Sequence, residues 1–241
     1  MKKISICLIT LMLAGCSVSA GSLTVSEEAE SFAVSESIAS GGKSDDVPEY
    51  KDYSAGYVID DTSLVINAEA DHVFDFSDPE ILKQHSDSIF LGTIISKDGA
   101  TAIGDDGSFL GIPYTLGTIA VQEVYLGEAE PVVSFRRAGA VMPLDAYLEG
   151  SPQERKDKIR SLLKDPDQPV IVSAFFLDDI NPQVGKTYLF HALKTGDLCT
   201  LIGERYGCRE VMMSDDTYWL ADPAEEERNI TLEAYLDAYV R

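Results

Sequence analysis

Basic residues are scarce in this sequence. Its 241 residues include 19 lysines and arginines against 41 aspartates and glutamates, a formal net charge of −22. Proteins that bind nucleic acids hold the phosphates with Lys and Arg, so this charge excludes nucleic acid as a partner. Anionic lipid headgroups would repel such a surface as well. Hydrophobic residues nevertheless make up 45% of the chain, which is enough for a folded domain.

The motifs of common enzyme classes are also missing. The sequence has no Gly-x-Ser-x-Gly elbow, no His-Glu-x-x-His pair and no dinucleotide-binding glycine pattern. Val184–Thr187 is similar to the end of a phosphate-binding loop, but the first glycine of that motif would fall on Ile180 and a strand pattern follows. The histidines, His72, His85 and His191, are scattered, and His191 alternates with leucines on a predicted strand, which favours a structural role. We expect no catalytic residue, no metal and no cofactor.

Long hydrophobic runs are absent apart from one near the N-terminus. Lys2 and Lys3 precede an apolar run, Ile4–Ala14, which is the layout of a secretory signal. Eleven helical residues span about 16 Å, roughly half of a 30 Å hydrocarbon core, so the run is too short for a membrane span. Leu13–Cys16 reads Leu-Ala-Gly-Cys and resembles the lipobox of bacterial lipoproteins. Residues 1–16 are therefore predicted to be an export signal that ends in the lipobox cysteine.

The lipobox resemblance implies a lipid anchor. It implies that Cys16 carries a diacylglycerol on sulfur and becomes the first residue of the exported chain. Two or more acyl chains hold a protein stably on a membrane, so the lipid would anchor a protein whose charge the membrane repels. The expected location is the cell membrane or the outer membrane, with the domain outside the cytoplasm. An ordinary signal with an incidental cysteine is the alternative.

Composition divides the rest of the chain into a tether and one domain. Residues 17–54 are rich in Ser, Gly, Asp and Glu and have too few apolar residues to offset the entropy lost on folding, so a flexible acidic tether is predicted. A helix over residues 27–38 is the alternative. Residues 55–241 contain short β-rich runs separated by turn residues and are predicted to form a single domain.

The short strands and scarce helices predict a mainly β domain with peripheral helices. They favour a small antiparallel barrel, closed or partly open, over a parallel α/β sheet. Turns are predicted at residues 97–99, 105–107 and 181–182. The apolar positions of Thr118–Leu126 change face once, so either a β-bulge near Gln122–Glu123 or burial on both faces is predicted. The predicted strands are Ser63–Ala68, Ser88–Ile95, Thr115–Leu126, Pro131–Arg137, Val170–Leu177, Thr187–Leu193, Cys199–Ile202, Arg205–Val211 and Thr217–Leu220.

Three helices are predicted at the periphery. Ser77–Glu80 and Ser151–Glu154 fit the capping box, in which the serine and the glutamate satisfy backbone groups at the start of a helix, and each has a proline in the first turn. The last helix is predicted over Thr231–Val240, where apolar residues recur at helical spacing. We expect this helix to dock on the barrel.

Cysteine is rare, and the predicted domain contains only Cys199 and Cys208. If Gly203-Glu204 is a two-residue type II′ turn, the flanking strands place the two cysteines directly opposite each other. A non-hydrogen-bonded pair at this position has Cα atoms about 4.5 Å apart, within reach of a disulfide, and an exported protein can keep one. We expect a structural disulfide between Cys199 and Cys208. A redox-active or metal-binding pair is the alternative, although Cys-x-x-Cys spacing is absent.

Acidic pairs and one basic doublet are the remaining candidates for a site. Asp105-Asp106, Asp178-Asp179, Asp215-Asp216 and the series Asp71, Asp75, Asp78 lack the spacing of a calcium-binding loop. We interpret them as solvated turn residues. Arg136-Arg137 is interpreted as neutralising acidic neighbours, with an anionic ligand as the alternative.

The middle of the domain resembles a known fold. Asp87–Ile94, Thr118–Gly127 and Gly185–Phe190 follow one another as in uncharacterised bacterial lipoproteins and in netrin-like or TIMP-like OB-fold barrels. The resemblance implies an OB-like barrel, but the cysteine framework of the eukaryotic members is missing, so their inhibitor activity is not carried over. We expect a lipid-anchored extracytoplasmic protein that binds a protein or envelope component without catalysis. The alternative is an envelope hydrolase that uses paired carboxylates.

Overall fold

The computed structural model describes residues 50–69, 73–161, 163, 168–221 and 229–241. The predicted signal with Cys16, the predicted tether up to residue 49, and Asp71 and His72 lie outside the described residues. Within the described ranges, no helix is long and apolar enough to cross a bilayer.

The domain is mainly β with few helices, as the sequence predicts. Each of the nine predicted strands has a counterpart, and three short strands and one short helix were not predicted. The strands are β1 (Lys51–Asp52), β2 (Leu64–Ala68), β3 (Ser88–Ile103), β4 (Phe109–Leu126), β5 (Val132–Ala138), β6 (Ala140–Pro143), β7 (Ile171–Phe176), β8 (Thr187–Thr195), β9 (Leu198–Leu201), β10 (Cys208–Ser214), β11 (Thr217–Leu220) and β12 (Ile230–Thr231). The helices are α1 (Pro79–Gln84), α2 (Leu144–Tyr147), α3 (Gln153–Ser161) and α4 (Leu232–Tyr239), and a 3₁₀ turn occupies Tyr53–Gly56.

Five strands of the larger sheet form a closed ring of backbone pairings. β3 pairs antiparallel with both β4 and β8, and β4 pairs antiparallel with β5. β5 pairs in parallel with β9, and β9 pairs antiparallel with β8, which returns the ladder to β3. The other strands of this sheet extend it from the ring, with β1 beside β3 and β10, β11 and β12 beyond β8.

Large apolar side chains of the ring strands pack against one another in a buried cluster. Four of them, one from each of β3, β4, β5 and β8, are at most 2% exposed, namely Phe90, Ile119, Phe135 and Phe190. Burial of a side chain of this size contributes about 1.5 to 3 kcal/mol. Gly117 of β4 makes the packing possible, because a Cβ there would lie 2.7 Å from the Phe135 ring.

A separate three-stranded sheet is formed by β2, β7 and β6. β6 and β7 belong to the chain segment between β5 and β8, and β2 comes from the N-terminal part of the domain. β2 pairs in parallel with β7, and β6 pairs antiparallel with β7. Its buried residues, among them Met142 and Val172, pack with Tyr147 of α2 and Ile159 of α3 in a second core. The two helices therefore cover this small sheet.

The C-terminal helix docks as predicted. Leu232, Tyr235 and Leu236 of α4 are buried in a third cluster with Ile89 of β3 and Leu189 of β8. These strand residues occupy the face of the ring opposite to Phe90 and Phe190, as period-2 alternation requires. The helix therefore seals one outer face of the ring.

Two local predictions, a β-bulge in β4 and a capped start of α1, have counterparts in the structure. The β-bulge is confirmed, because Leu91 pairs with Glu123 and Gly92 with Val121, which leaves Gln122 as the extra residue. The capping-box prediction requires Ser77 as the N-cap of α1, but the N-cap is Asp78. The Asp78 carboxylate accepts a hydrogen bond from the backbone N–H of Glu80 at 2.9 Å.

The turn predicted at residues 97–99 is wrong. These residues lie within β3, where the pairing with β4 shifts register between Lys97 and Gly99. The chain turns instead after β3, where Gly107 has a φ of 79°, at the predicted turn 105–107. The Asp-Gly signal at residues 98–99 therefore marks an irregularity in a long strand.

Candidate ligand-binding cleft

An open cleft of about 690 Å³ lies where three loops meet. One loop follows β2 and leads to α1, the second follows β7, and the third joins β9 to β10. Pockets that hold small ligands have volumes in this range. The cleft is lined by Glu69, Val73, Phe74, Asp75, Phe76, Ser77, Phe176, Leu177, Asp178, Asp179, Glu204, Arg205 and Tyr206.

The third loop, residues 202–207, replaces the predicted hairpin. Gly203 has the predicted positive φ, 77°, but its carbonyl accepts from the N–H groups of both Tyr206 and Gly207, which closes a wider turn. His191 of β8 brackets the loop, since its carbonyl accepts from the N–H of Ile202 and its N–H donates to the carbonyl of Gly207. β9 ends beside Ala192 of β8, and β10 begins beside Phe190 on the same edge of β8. β9 and β10 therefore lie end to end along one edge of β8.

This arrangement overturns the predicted disulfide. Cys199 pairs with Lys194 and Cys208 with Phe190, so the cysteines lie four residues apart along one edge of β8, roughly 13 Å at 3.3 Å per residue. Cα atoms farther apart than about 7 Å cannot be bridged without moving the backbone. Both cysteines are buried free thiols. Burial raises the pKa of the Cys199 thiol, and it raises the pKa of the Cys208 thiol to about 12.

Asp179, which lines the cleft, has a buried carboxylate. Its side chain is 1% exposed, and its Oδ1 accepts from Arg137 Nη2 at 2.5 Å and from the Ile180 N–H at 2.8 Å. Its Oδ2 is buried and has no hydrogen-bond partner among the residues that the structure describes. Burial raises the pKa of Asp179, and the guanidinium of Arg137 opposes that shift. The prediction of solvated turn residues is therefore wrong for Asp179.

A second ion pair, in which the lysine is buried and the aspartate is partly exposed, holds the same loop. Lys97 donates to Asn181 Oδ1 at 3.0 Å and lies 3.5 Å from Asp52 Oδ2. Burial lowers the pKa of Lys97, and the Asp52 carboxylate opposes that shift. Arg137 also donates to the Ile180 carbonyl at 3.0 Å. Two buried cations thus hold the loop after β7 and the start of the described chain against the ring.

Apolar side chains stand exposed along the cleft. Phe74 is 45% exposed and stacks on His85, with ring centroids 3.8 Å apart. Leu177 is 49% exposed, and Val73 is exposed as well. Exposed apolar side chains grouped beside polar residues mark interaction sites more often than isolated ones do. The cleft therefore presents exposed apolar side chains next to charged ones.

The charge of the cleft is predominantly negative. Among the described residues that line it, five are acidic and one, Arg205, is basic. The Arg205 guanidinium is already engaged, because it donates to the Asp178 carbonyl at 3.4 Å and to Tyr206 Oη at 3.1 Å and lies over the Tyr206 ring. Hydrogen bonds from Ser77 lower the pKa of Asp75, which keeps that carboxylate ionised. The cleft therefore favours a cation.

His191 has the structural role that its strand position predicts. It is buried, with Nδ1 3.0 Å from Ser86 Oγ and Nε2 3.4 Å from Tyr235 Oη. Ser86 Oγ donates its single proton to the Leu82 carbonyl at 2.7 Å, so Nδ1–H of His191 is the donor in their contact. Burial, together with the nearby Arg209, lowers the pKa of His191 to about 3. The histidine is neutral and does not activate the serine.

The predicted basic candidates neutralise acidic neighbours. Arg136 lies 2.8 Å from Asp105 Oδ2, and Arg137 pairs with Asp179. Lys186, from the sequence similar to a phosphate-binding loop, lies 2.9 Å from Glu210 Oε1 and directly precedes a strand. A phosphate-binding loop requires a helix at this point. The interpretation of these residues from the sequence is confirmed.

The other acidic pairs occupy turns. Asp215 and Asp216 both have positive φ at the two-residue turn between β10 and β11, and Asp105 and Asp106 lie in the turn after β3. Within the described ranges, no group of three or more His, Cys, Asp or Glu side chains has the geometry to hold a metal ion.

Sequence reasoning did not single out the cleft. Two sequence features mark it: the alternating aromatic and acidic residues Phe74, Asp75 and Phe76, and the acidic pair Asp178-Asp179, which follows the end of β7 after one intervening residue. The residues of the third loop were assigned to a hairpin instead. No local pattern reveals that these three segments meet, because their contact depends on the closure of the ring.

Comparison of the chain with protein-family models, with curated proteins and with solved structures finds no match.

Proposed function

We propose that this chain is a lipid-anchored extracytoplasmic binding protein without catalytic activity, and that the cleft is its binding site. The cleft carries the proposal, because it combines exposed apolar side chains with charged ones in a volume that suits a ligand. Arg137 and Asp179 brace one of its walls through a buried ion pair. A site on braced loops is preorganised, which reduces the entropy lost on binding.

The ring of strands supports an OB-like barrel as the scaffold. The OB-fold is a five-stranded Greek-key barrel, and β3, β4, β5, β9 and β8 pair in a closed order with one long connection between β5 and β8. The buried cluster around Phe90, Phe135 and Phe190 is typical of a small barrel filled by side chains. In this proposal the barrel is a scaffold and the loops at one end bind the ligand.

The lipobox resemblance supports the location. Acylation of Cys16 would hold the chain on the cell membrane or the outer membrane, and residues 17–54 would connect the anchor to the domain. Metabolic labelling with an alkyne palmitate analogue tests the anchor. The label is expected on the full-length chain and not on the Cys16→Ser variant, and equal labelling of the two would contradict the anchor.

Photocrosslinking in intact cells tests the proposed function. A photoreactive amino acid replaces Leu177 in the cleft of the full-length chain, and in a matched control it replaces Met213 on β10. The two side chains are 49% and 46% exposed and both are apolar, so they differ chiefly in location. The proposal predicts an adduct at position 177 and none at position 213. Equal adducts at both positions, or none at position 177, would contradict it.

An envelope hydrolase that uses paired carboxylates is the second candidate. Burial raises the pKa of Asp179 and hydrogen bonds lower the pKa of Asp75, and both residues line the cleft. A general acid and a general base need pKa values separated in this way. The candidate predicts that the full-length protein cleaves cell-wall glycan or peptide fragments, detected by mass spectrometry, and that Asp75→Asn abolishes cleavage. Absence of cleavage products would exclude it.

A further inference from the structure

The cleft has the chemistry to bind one class of ligand. Its acidic side chains lie on all three loops, as Asp75 on the first, Asp178 and Asp179 on the second and Glu204 on the third. An anionic ligand would meet these carboxylates at close range, where like charges repel strongly. Arg205, the one guanidinium among the described residues that line the cleft, already donates to the Asp178 carbonyl and to Tyr206 Oη. The ligand that complements this surface carries positive charge.

Asp179 points independently to a ligand that donates hydrogen bonds. Its side chain is 1% exposed and lines the cleft, and its Oδ2 lacks a partner among the described residues. A buried acceptor without a partner is costly, and native proteins usually supply one. Arg137 and the Ile180 N–H are directed at Oδ1. An N–H group of a ligand would satisfy Oδ2.

The exposed apolar side chains of the cleft add a requirement for the rest of the ligand. Phe74 has His85 stacked against its ring, and together with Leu177 it presents exposed apolar surface beside the carboxylates. Aromatic rings attract organic cations through their electron-rich faces, and apolar surface packs against alkyl chains. A hydrated metal ion would use neither contact.

Resting on the proposed function, we propose that the cleft binds an organic cation, an ammonium or guanidinium group on an alkyl stem. The cationic N–H donates to Asp179 Oδ2, Asp75 and Asp178 supply the opposite charge, and the stem packs on Phe74 and Leu177. A free amine and a Lys or Arg side chain of a basic peptide share this chemistry.

Calorimetry with matched probes tests the inference. The full-length protein in a non-ionic detergent is titrated with cadaverine, with 1,5-pentanediol as its uncharged isostere, and with calcium chloride. Agmatine and the peptide acetyl-Ala-Lys-Ala-amide represent the free and the peptide source. We expect cadaverine, agmatine or the peptide to bind, and the diol and calcium to bind at least about 10-fold more weakly.

The variant Asp178→Asn tests the site without disturbing the backbone. Asp178 has a φ of 59°, a left-handed conformation that Asn adopts as readily as Asp. Asp215 has a φ of 49° in the β10–β11 turn outside the cleft, so Asp215→Asn is a matched control. Loss of one attractive charge at this exposed position predicts binding of the cation by Asp178→Asn that is weaker by up to about 5-fold. Asp215→Asn is expected to stay within about twofold of the unmodified chain.

The outcomes separate this inference from the proposed function. Equal affinity for cadaverine and 1,5-pentanediol would overturn the organic cation, and so would tighter binding of calcium. Equal weakening by Asp178→Asn and Asp215→Asn would overturn the location. If no cationic probe binds while position 177 still forms its crosslink in cells, the inference falls and the binding function stands.

Discussion

At the scale of single residues, the buried charges decide how the cleft is held. Arg137 and Asp179 are both almost fully buried and lie on β5 and on the loop after β7, 42 positions apart in the sequence. The doublet at residues 136–137 predicted a neutralising role from the sequence, and that role is confirmed. The burial of Asp179 could not be predicted, because its neighbours in the sequence are those of a solvated turn.

Replacement of Arg137 is therefore expected to destabilise the fold strongly. Arg137→Met leaves the Asp179 carboxylate buried without its cation, which costs about 3 to 5 kcal/mol in the free energy of unfolding. Arg160→Met removes an exposed ion pair with Asp145 and should cost less than about 1 kcal/mol. Urea denaturation of the two full-length variants measures the difference. Similar, small losses in both would contradict the buried pair.

Because His191 is buried in its neutral form, we expect the protein to lose stability in mild acid. Its pKa is about 3 in the folded chain and 6.5 when exposed, so the unfolded chain binds the proton first as the pH falls. The stability that the neutral histidine contributes is complete above pH 6.5 and is lost as the pH falls from there towards 3. The slope is at most about 1.4 kcal/mol per pH unit. Urea denaturation between pH 7.5 and 4 should show a shallower slope for His191→Leu, and identical slopes would contradict this origin.

At the scale of secondary structure, alternation of apolar residues predicted most strands, and the exceptions have physical reasons. The change of face within Thr118–Leu126 predicted either a bulge or burial on both faces, and the pairing with β3 shows the bulge at Gln122. The prediction of a hairpin with a two-residue turn at residues 203–204 was wrong, because a glycine such as Gly203 fits a two-residue turn and a wider loop equally well. Backbone bonds from His191 select the loop, and His191 belongs to a different part of the chain.

Glycine at position 207 is required by this loop. A Cβ on residue 207 would lie 1.8 Å from the carbonyl oxygen of Ile202, so Gly207→Ala forces the backbone apart. We expect a loss of about 2 to 3 kcal/mol in the free energy of unfolding. Gly111→Ala is the matched control, because nothing lies within 4 Å of the added atom. An unchanged midpoint in urea for Gly207→Ala would contradict the close approach.

The collinear β9 and β10 predict two free thiols. Without reductant, neither Cys199 nor Cys208 should react with iodoacetamide in the folded protein, since both are buried and burial raises their pKa values. Both should react after unfolding in urea, as peptide mapping by mass spectrometry would show. Alkylation that requires a reductant even in urea would restore the disulfide and contradict this register.

At the scale of the whole molecule, composition predicted the class of domain better than its site. The strand pattern predicted a mainly β domain, and the structure has one. The ring, the small sheet and the C-terminal helix each have their own buried cluster, and the cleft forms where loops from these parts converge. Convergence depends on pairings between distant strands, so only coarse features of the site were available from the sequence.

The net charge of −22 also acts on the whole molecule. It raises the local concentration of cations around the protein, and a cleft lined by carboxylates concentrates that field further. The acidity that sets the chain apart is therefore consistent with the ligand class that we propose. Lipid anchoring would hold such a surface near the membrane although the headgroups repel it.

The crystal structure of the full-length protein grown with cadaverine tests this account most directly. We expect a cadaverine nitrogen within about 3.2 Å of Asp179 Oδ2, with the alkyl chain against Phe74 and Leu177. Cadaverine bound elsewhere, or in the cleft without contact to Asp179, would contradict it.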